Sequence, residues 1–192
     1  MDCIVLDAMG VIFRAADDVA ELLIPFIAET GGNVSTGIVE STYLDASLGL
    51  INVDEFWRKV GLDSSVEDKY LARHALTPGI ESFLACAGEM SVPVWCLSND
   101  VERWSVKLRI AFNLENSLAG AIISSAVGSR KPNPSIYQSL LEASRYRADQ
   151  LLFIDDRAKN VEAARSMGIP SVLFGPESDF ASLERELREG TF

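Results

Sequence analysis

Cysteine is scarce in this chain: three residues, at positions 3, 86 and 96, with no CxxC spacing among them. An odd count without metal-type spacing argues against a disulfide framework and against a cysteine-built metal site. Cys3 and Cys96 fall inside apolar runs, where cysteine packs as a small hydrophobe, so we read reduced core thiols in a cytoplasmic protein. Nowhere do apolar residues run to the roughly 20 that a membrane helix needs. The opening Met1-Asp2-Cys3-Ile4-Val5 lacks the basic leader of a signal peptide and reads as a first strand. Positive charge is also in deficit: Lys and Arg number 17 against 28 Asp and Glu, a formal net charge of -11, and no Lys/Arg block offsets it. Such a balance repels nucleic acid and anionic membrane, and leaves a small molecule in a locally neutralised site as the expected partner. There is no internal repeat or low-complexity segment, and nothing in the sequence speaks to oligomeric state.

What is present is a rhythm. Hydrophobic residues make up 48% of 192, enough for one good core and a small accessory domain. Five short runs, Cys3–Leu6, Val92–Leu97, Ala121–Ile123, Leu151–Ile154 and Ser171–Phe174, are continuous rather than alternating, as expected of strands buried on both faces. Between them apolar residues recur at helical spacing, for example Ile80, Phe83, Leu84 and Ala87, or Val101, Trp104, Leu108 and Phe112. This alternation predicts an α/β fold with a parallel sheet covered on both faces. Residues 15–76 break the pattern: they carry helical spacing (Val19, Leu22, Leu23, Phe26, Ile27; Val53, Phe56, Trp57, Val60) without a convincing strand. Pro25 should kink or split the first of these helices, and Gly31-Gly32-Asn33 should end it. We therefore expect a core of residues 1–14 and 77–192 with a helical insert at 15–76.

In open parallel sheets, ligands bind beyond the carboxyl ends of the strands. At those ends stand Asp7, Ser98-Asn99 and Asp155-Asp156, with Arg130-Lys131-Pro132 between the third strand and the next helix. Taken singly, each has an ordinary explanation as a turn residue or helix cap. Together they put three carboxylates, a hydroxyl and a lysine in one crevice. Carboxylates so crowded repel one another, and a divalent cation resolves the conflict; a few oxygen ligands plus water are what Mg2+ prefers. Lys131 and Ser98 can hold an anionic substrate group, and Asp7 is placed to attack it.

These residues resemble the four motifs of the haloacid dehalogenase superfamily. Asp7-Ala8-Met9-Gly10-Val11-Ile12-Phe13 is similar to the first and Leu97-Ser98-Asn99-Asp100 to the second. Ser129-Arg130-Lys131-Pro132-Asn133-Pro134 looks like the third, and Phe153-Ile154-Asp155-Asp156-Arg157-Ala158-Lys159-Asn160 like the fourth. The resemblance spans nearly all of the chain outside the insert. It implies a Rossmann-like three-layer α/β/α core, with residues 15–76 as a small helical cap of the C1 type found in subfamily I. It also implies in-line attack by Asp7, a covalent aspartyl intermediate, and a Mg2+ site made by Asp7, the Met9 carbonyl, Asp155 and Asp156. Asn160, one helical turn past Asp156, is expected to support that carboxylate. Asn99, Arg14 and Arg130 are the candidate substrate contacts, while Arg103 and Trp104 read as helix residues only, Trp57 and Phe56 as cap core, and the sole histidine, His74, as a solvated helix residue.

At one position the pattern departs. Phosphatases of the family carry a second Asp two residues after the nucleophile, which protonates the leaving oxygen; here that residue is Met9, and a thioether cannot serve. The branch resembling α-glucose-1-phosphate phosphatases shares this loss and keeps the paired Asp of the fourth motif. The first expectation is therefore a phosphatase acting on a small phosphorylated metabolite with a good leaving group. The alternatives are carbon–halogen cleavage, since the 2-haloacid dehalogenases also replace the second Asp, and a catalytically weak protein that binds a phosphorylated metabolite.

Overall fold

The computed structural model describes residues 1–192. Strands β1 (Cys3–Leu6), β2 (Val94–Ser98), β3 (Gly120–Ile123), β4 (Leu151–Asp155) and β5 (Ser171–Leu173) form one sheet in the order β3-β2-β1-β4-β5. All four neighbouring pairs are parallel. These are the five runs read from the sequence, with small shifts at their ends. Side chains alternate across the pleat and so explain why the runs are apolar throughout. Ile4, Leu6, Leu152 and Ile154 join one buried cluster, whereas Cys3, Val5, Leu151 and Phe153 join another on the opposite face.

Ten α-helices accompany the sheet. Four lie between β1 and β2 ahead of the return to the sheet: α1 (Ile24–Glu29), α2 (Thr36–Ser47), α3 (Val53–Lys59) and α4 (Glu67–Leu71). Then come α5 (Ile80–Glu89), α6 (Glu102–Ala111), α7 (Ser124–Val127), α8 (Pro134–Ser144), α9 (Ala158–Ser166) and α10 (Phe180–Glu189). Ile80, Phe83, Trp104, Leu108, Phe180 and Leu183 place α5, α6 and α10 on one face of the sheet. Ile136, Tyr137, Leu140 and Ala164 place α8 and α9 on the other. The strand order reverses between β1 and β4, and that switch point opens a crevice at the carboxyl ends of both strands.

Between β1 and α5 the chain contributes no strand to the sheet. Pro25 does not split the first helix: a π-helical stretch at Val19–Leu23 runs straight into α1 with helical backbone angles at Leu23 and Ile24, and the change of hydrogen-bonding pattern just before Pro25 accommodates its missing N–H. The chain leaves and re-enters the sheet domain side by side, since Arg14 N–H donates to Ala75 O at 2.9 Å and Thr77 N–H to Ile12 O at 2.9 Å. The helices of this segment do not form a separate core. Leu23, Phe26, Tyr43, Trp57 and Tyr70 belong to the same cluster of 36 buried residues as Ile4, Leu6 and Trp104.

One buried carboxylate fastens the segment further. Glu67, 1% exposed at the start of α4, accepts Trp57 Nε1 at 3.3 Å and Trp104 Nε1 at 2.9 Å on Oε2. Its Oε1 takes Arg103 Nε at 2.9 Å and Lys107 Nζ at 2.7 Å. Burial alone would raise its pKa, but these donors outweigh it and hold the group below the usual Glu value. Arg103 and Trp104 are thus more than helix residues: they join α6 to α3 and α4. His74 also departs from expectation. It is 5% exposed, edge-on to Phe13 and Tyr70, because α4 turns back into the shared core instead of facing water.

Candidate active site

The β1/β4 register sets the site. Leu6 pairs with Ile154, so the next residues, Asp7 and Asp155, leave the sheet side by side, and Asp7 N–H donates to Ile154 O at 2.9 Å. Lys131, 3% exposed, lies between them. Its ammonium meets Asp7 Oδ1 at 2.7 Å, Asp155 Oδ2 at 2.8 Å and Leu97 O at 2.6 Å, one acceptor for each proton. Asn99 holds that lysine in place: its amide donates to Lys131 O at 3.0 Å and accepts Lys131 N–H at 2.7 Å. Both ends of the Asn99 side chain are therefore committed to backbone. Expected from the sequence as a substrate contact, it does line the cavity described below, with the lysine backbone as its side-chain partner.

The two acidic residues of the fourth motif differ. Asp155 is fully buried and held from several sides, taking Arg157 N–H at 2.8 Å and Asn160 Nδ2 at 3.0 Å besides Lys131. Asn160 thus supports Asp155, not Asp156 as its one-turn spacing suggested, because the helix starts only at Ala158 and the intervening turn swings it toward the strand end. Asp156 keeps Oδ1 buried without any hydrogen-bond partner. Ligand oxygens of Asp7, Asp155 and Asp156 all lie within 4.8 Å of one another. The loop after β1 comes close enough for this only because residue 10 is glycine: its φ is +82°, and a Cβ there would stand 2.5 Å from Asp156 Oδ2.

The charge pattern follows. Burial lowers the affinity of Lys131 for its proton, but Asp7 and Asp155 more than restore it, so the lysine stays charged. Burial would raise Asp155 too, yet Lys131 and its hydrogen bonds hold it below the usual range. Asp7 is pushed well above that range by burial and by Asp155, with Lys131 opposing. Lys131 and the more distant Arg157, whose Nε stands 4.0 Å from Asp156 Oδ1, do not neutralise three crowded carboxylates. A hard dication suits the vacant Asp156 oxygen and the oxygen-only donor set, so the residues present fit Mg2+.

A cavity of about 300 Å³ opens above these groups, at the small end for ligand sites. Asp7, Met9, Ser98 and Arg130 line it from the strand-end side. Both donors to Asp7, Lys131 Nζ and Ala8 N–H, converge on Oδ1, which leaves Oδ2 free. Ser98 is 1% exposed and its Oγ has no partner. Arg130 also lines the cavity, bonded to Ser47 Oγ and stacked 5.6 Å from the centre of the Tyr43 ring. Arg14 is exposed and does not line the cavity; Arg157, whose Nη2 donates to Ala16 O at 3.0 Å, stands there instead. Other lining residues, Asp18, Glu40 and Tyr43 among them, come from the helical segment.

A family model for haloacid dehalogenase-like hydrolases matches residues 1–168. The chain belongs to the haloacid dehalogenase-like hydrolase family. As a hydrolase of this family it is 25% identical over 185 residues to a phosphoglycolate phosphatase of Pseudomonas syringae pv. tomato, covering 88% of this chain and 67% of that one. It is 30% identical over 93 residues to the rat bifunctional epoxide hydrolase 2, covering 48% of this chain, and it spans only 16% of that protein's length. Among solved structures, a family enzyme from Bacteroides thetaiotaomicron in complex with magnesium superposes with a TM-score of 0.77 at 20% identity, covering 96% of this chain and 98% of that one. An L-2-haloacid dehalogenase from Xanthobacter autotrophicus gives 0.66 at 22% identity, covering 100% and 84%. These structural likenesses share the α/β fold described above. No helix is long and apolar enough to cross a membrane.

Proposed function

We propose that this hydrolase is a Mg2+-dependent phosphatase for a small phosphorylated metabolite, working through an aspartyl-phosphate on Asp7. The supporting observation is the buried Asp156 Oδ1, left without a donor within reach of Asp7. An orphaned buried oxygen of this kind costs about 1–3 kcal/mol, which a metal-free displacement gives no reason to retain. Asp7, Asp155, Asp156 and the Met9 carbonyl would hold the ion. When bound, Mg2+ supplies charge neutralisation for the phosphoryl group and for the crowded carboxylates.

The chain's own residues do the rest. Asp7 Oδ2, free of donors, attacks phosphorus in line, and the bond from phosphorus to the leaving oxygen breaks. Lys131, fixed by Asn99, fixes the other oxygen of the nucleophile and lends positive charge to the phosphoryl group. Ser98 Oγ offers it a hydrogen bond, and Arg130 and Arg157 supply positive charge on the cavity wall. Asn160 keeps Asp155 in place. Residues 15–76 act as the cap that encloses the substrate, and the small cavity limits its size. Likeness to a phosphoglycolate phosphatase supports this chemistry, and three free buried cysteines suit a reducing cytoplasm.

Met9 donates no proton to the leaving oxygen. Positioned acid catalysis is worth about 10²–10⁴-fold, or roughly 3–5.5 kcal/mol, so a substrate with an activated leaving group, such as an anomeric sugar phosphate or acyl phosphate, suffers least. Met9, together with the fold likeness to an L-2-haloacid dehalogenase, favours carbon–halogen cleavage as the second reading, but that chemistry has no use for the vacant Asp156 oxygen. A screen of phosphorylated metabolites with Mg2+, with Asp7→Asn as the blank, tests the proposal. Phosphate release is expected from the wild type and a loss on the order of 10⁴-fold or more in the variant. Halide release in EDTA would establish the dehalogenase instead, and ligand binding without turnover or beryllofluoride trapping would establish a binding protein.

A further inference from the structure

We propose that Asp18 supplies the proton that position 9 cannot, delivering it to the oxygen that leaves phosphorus when Asp7 attacks. The inference rests on the phosphatase reading above and concerns the same cavity.

Asp18 is a carboxyl with no structural explanation. It is 6% exposed, yet it lines the cavity together with Asp7, Met9 and Ser98. It stands at the N-terminal end of the π-helical turn but makes no capping hydrogen bond. Its one partner from another residue is the Tyr70 hydroxyl, a long 3.4 Å from Oδ2, with its own backbone N–H as the further donor. The other acids nearby are less suited. Asp17 and Glu40 line the cavity but are exposed, and Asp17 accepts Ala20 N–H at 3.1 Å. Asp100 is buried, but it does not line the cavity and its Oδ1 takes Val101 N–H at 2.6 Å.

Position agrees with the role. Asp7 follows the end of β1, whereas Asp18 comes from the helical segment, and both line the one small cavity. In-line displacement sends the leaving group away from the nucleophile, and Asp18 is the buried carboxyl that the helical segment contributes to that cavity. Environment agrees as well. Burial, and Asp17 beside it, push the Asp18 pKa up to about 6, against the pull of Tyr70 and Arg157. The remaining ionisable groups whose charges interact with it are Tyr43, on α2, and Asp100, after β2. A group titrating near neutrality can both give and recover a proton.

The step balances. As Asp7 Oδ2 bonds to phosphorus, the electron pair of the breaking P–O bond passes to the leaving oxygen, which takes the Asp18 proton and departs as an alcohol. Asp18, now a carboxylate, then takes a proton from water as that water attacks the aspartyl-phosphate. The bond between Asp7 and phosphorus breaks, phosphate leaves, and both residues return to their starting states.

Leaving-group dependence tests this independently of the phosphatase reading. The probes are phenyl phosphate, whose phenolate needs a proton, and 2,4-dinitrophenyl phosphate, whose phenolate does not; both are aryl phosphate monoesters. With Mg2+, Asp18→Asn is expected to lower kcat/KM on phenyl phosphate by about 10²-fold or more and to leave kcat/KM on 2,4-dinitrophenyl phosphate nearly unchanged, because kcat/KM reads the steps up to departure of the leaving group and not the later attack of water. Turnover of the second probe also reports that the variant is folded; Asp18→Ser is the alternative should the amide fail to fold. Adding Met9→Asp to Asp18→Asn is expected to restore phenyl phosphate hydrolysis, a rescue that a purely structural role for Asp18 would not permit. Equal losses on both probes in folded protein, or no loss on either, overturn the assignment. A wild type that releases phosphate from neither probe overturns the phosphatase reading, and the role of Asp18 falls with it.

Discussion

Two places in this molecule bury a carboxylate among cations, and they differ in what is left over. At Glu67 each oxygen receives two donors, so the charge is consumed in joining α4 to α3 and α6. At the strand ends Asp7, Lys131 and Asp155 are as tightly bonded, but Asp156 Oδ1, Ser98 Oγ and Asn160 Oδ1 are buried with no partner. A closed cluster serves the fold. An open one carries unsatisfied atoms that folding alone does not reward, and their natural complement is a ligand. The contrast tells a network that fastens helices from one that awaits a ligand.

The strongest way to break the comparison is at the closed cluster. Glu67→Ala strands two indole N–H groups and removes the shared partner of Arg103 and Lys107, a loss of about 3–5 kcal/mol. For a chain of this size each kcal/mol moves the midpoint by roughly 2–4 °C, so thermal unfolding should come about 6–20 °C earlier. Phosphate release below the new midpoint should persist, because Glu67 does not line the cavity. A fall of under about 1 kcal/mol, the value of an ordinary surface pair, would remove Glu67 from its fastening role.

At the open cluster the same kind of truncation should do the reverse. Burial and the neighbouring Asp155 raise the pKa of Asp156, so ionising it costs free energy in the fold. Asp156→Asn should leave the metal-free midpoint unchanged or slightly higher. What it should abolish is the stabilisation by Mg2+, which in the wild type reaches about 2.7 kcal/mol at 100 times Kd. Scanning calorimetry with and without Mg2+ reads this without any substrate. An undiminished Mg2+ effect in the variant would place the ion elsewhere.

The strand-end groups were legible because each is tied to a local pattern: an apolar run, then Asp7, Ser98 or Asp155-Asp156 where the run stops. The parallel sheet turns that linear pattern into a cluster without further information. Asp18, Tyr43 and Glu67 were not legible, since their surroundings are created by how residues 15–76 pack against α6 and the strand ends, and no spacing encodes that packing. Asn160 shows the limit between the two. Its importance followed from the motif, but which carboxylate it serves depended on where α9 begins. Arg157 is readable next to the acidic pair and lines the cavity, whereas Arg14, the candidate that the sequence favours, is exposed and does not.

The smallest effect concerns a group that belongs to neither cluster. His74 Nδ1 lies 3.1 Å from Leu71 O while Nε2 is buried without a partner, which fixes a neutral ring with its proton on Nδ1. Burial lowers its pKa below the usual histidine value, with the Leu71 carbonyl pulling the other way. The unfolded chain therefore binds a proton here more readily than the folded one. His74 contributes full stability above its unfolded value of about 6.5 and loses it as pH falls through the lowered folded value. Asp18 acts in the opposite direction: raised to about 6, it stabilises at low pH and loses that contribution as pH rises through the same region. The two partly cancel in the wild type, so the total pH slope does not report His74. Subtraction does. His74→Phe keeps an aromatic ring against Phe13 and Tyr70 and leaves Asp18 untouched, so the variant's unfolding midpoint should gain on the wild type as pH is lowered from 7.5 to 5. A constant gap over that range would mean that His74 does not titrate differently in the folded and unfolded chain.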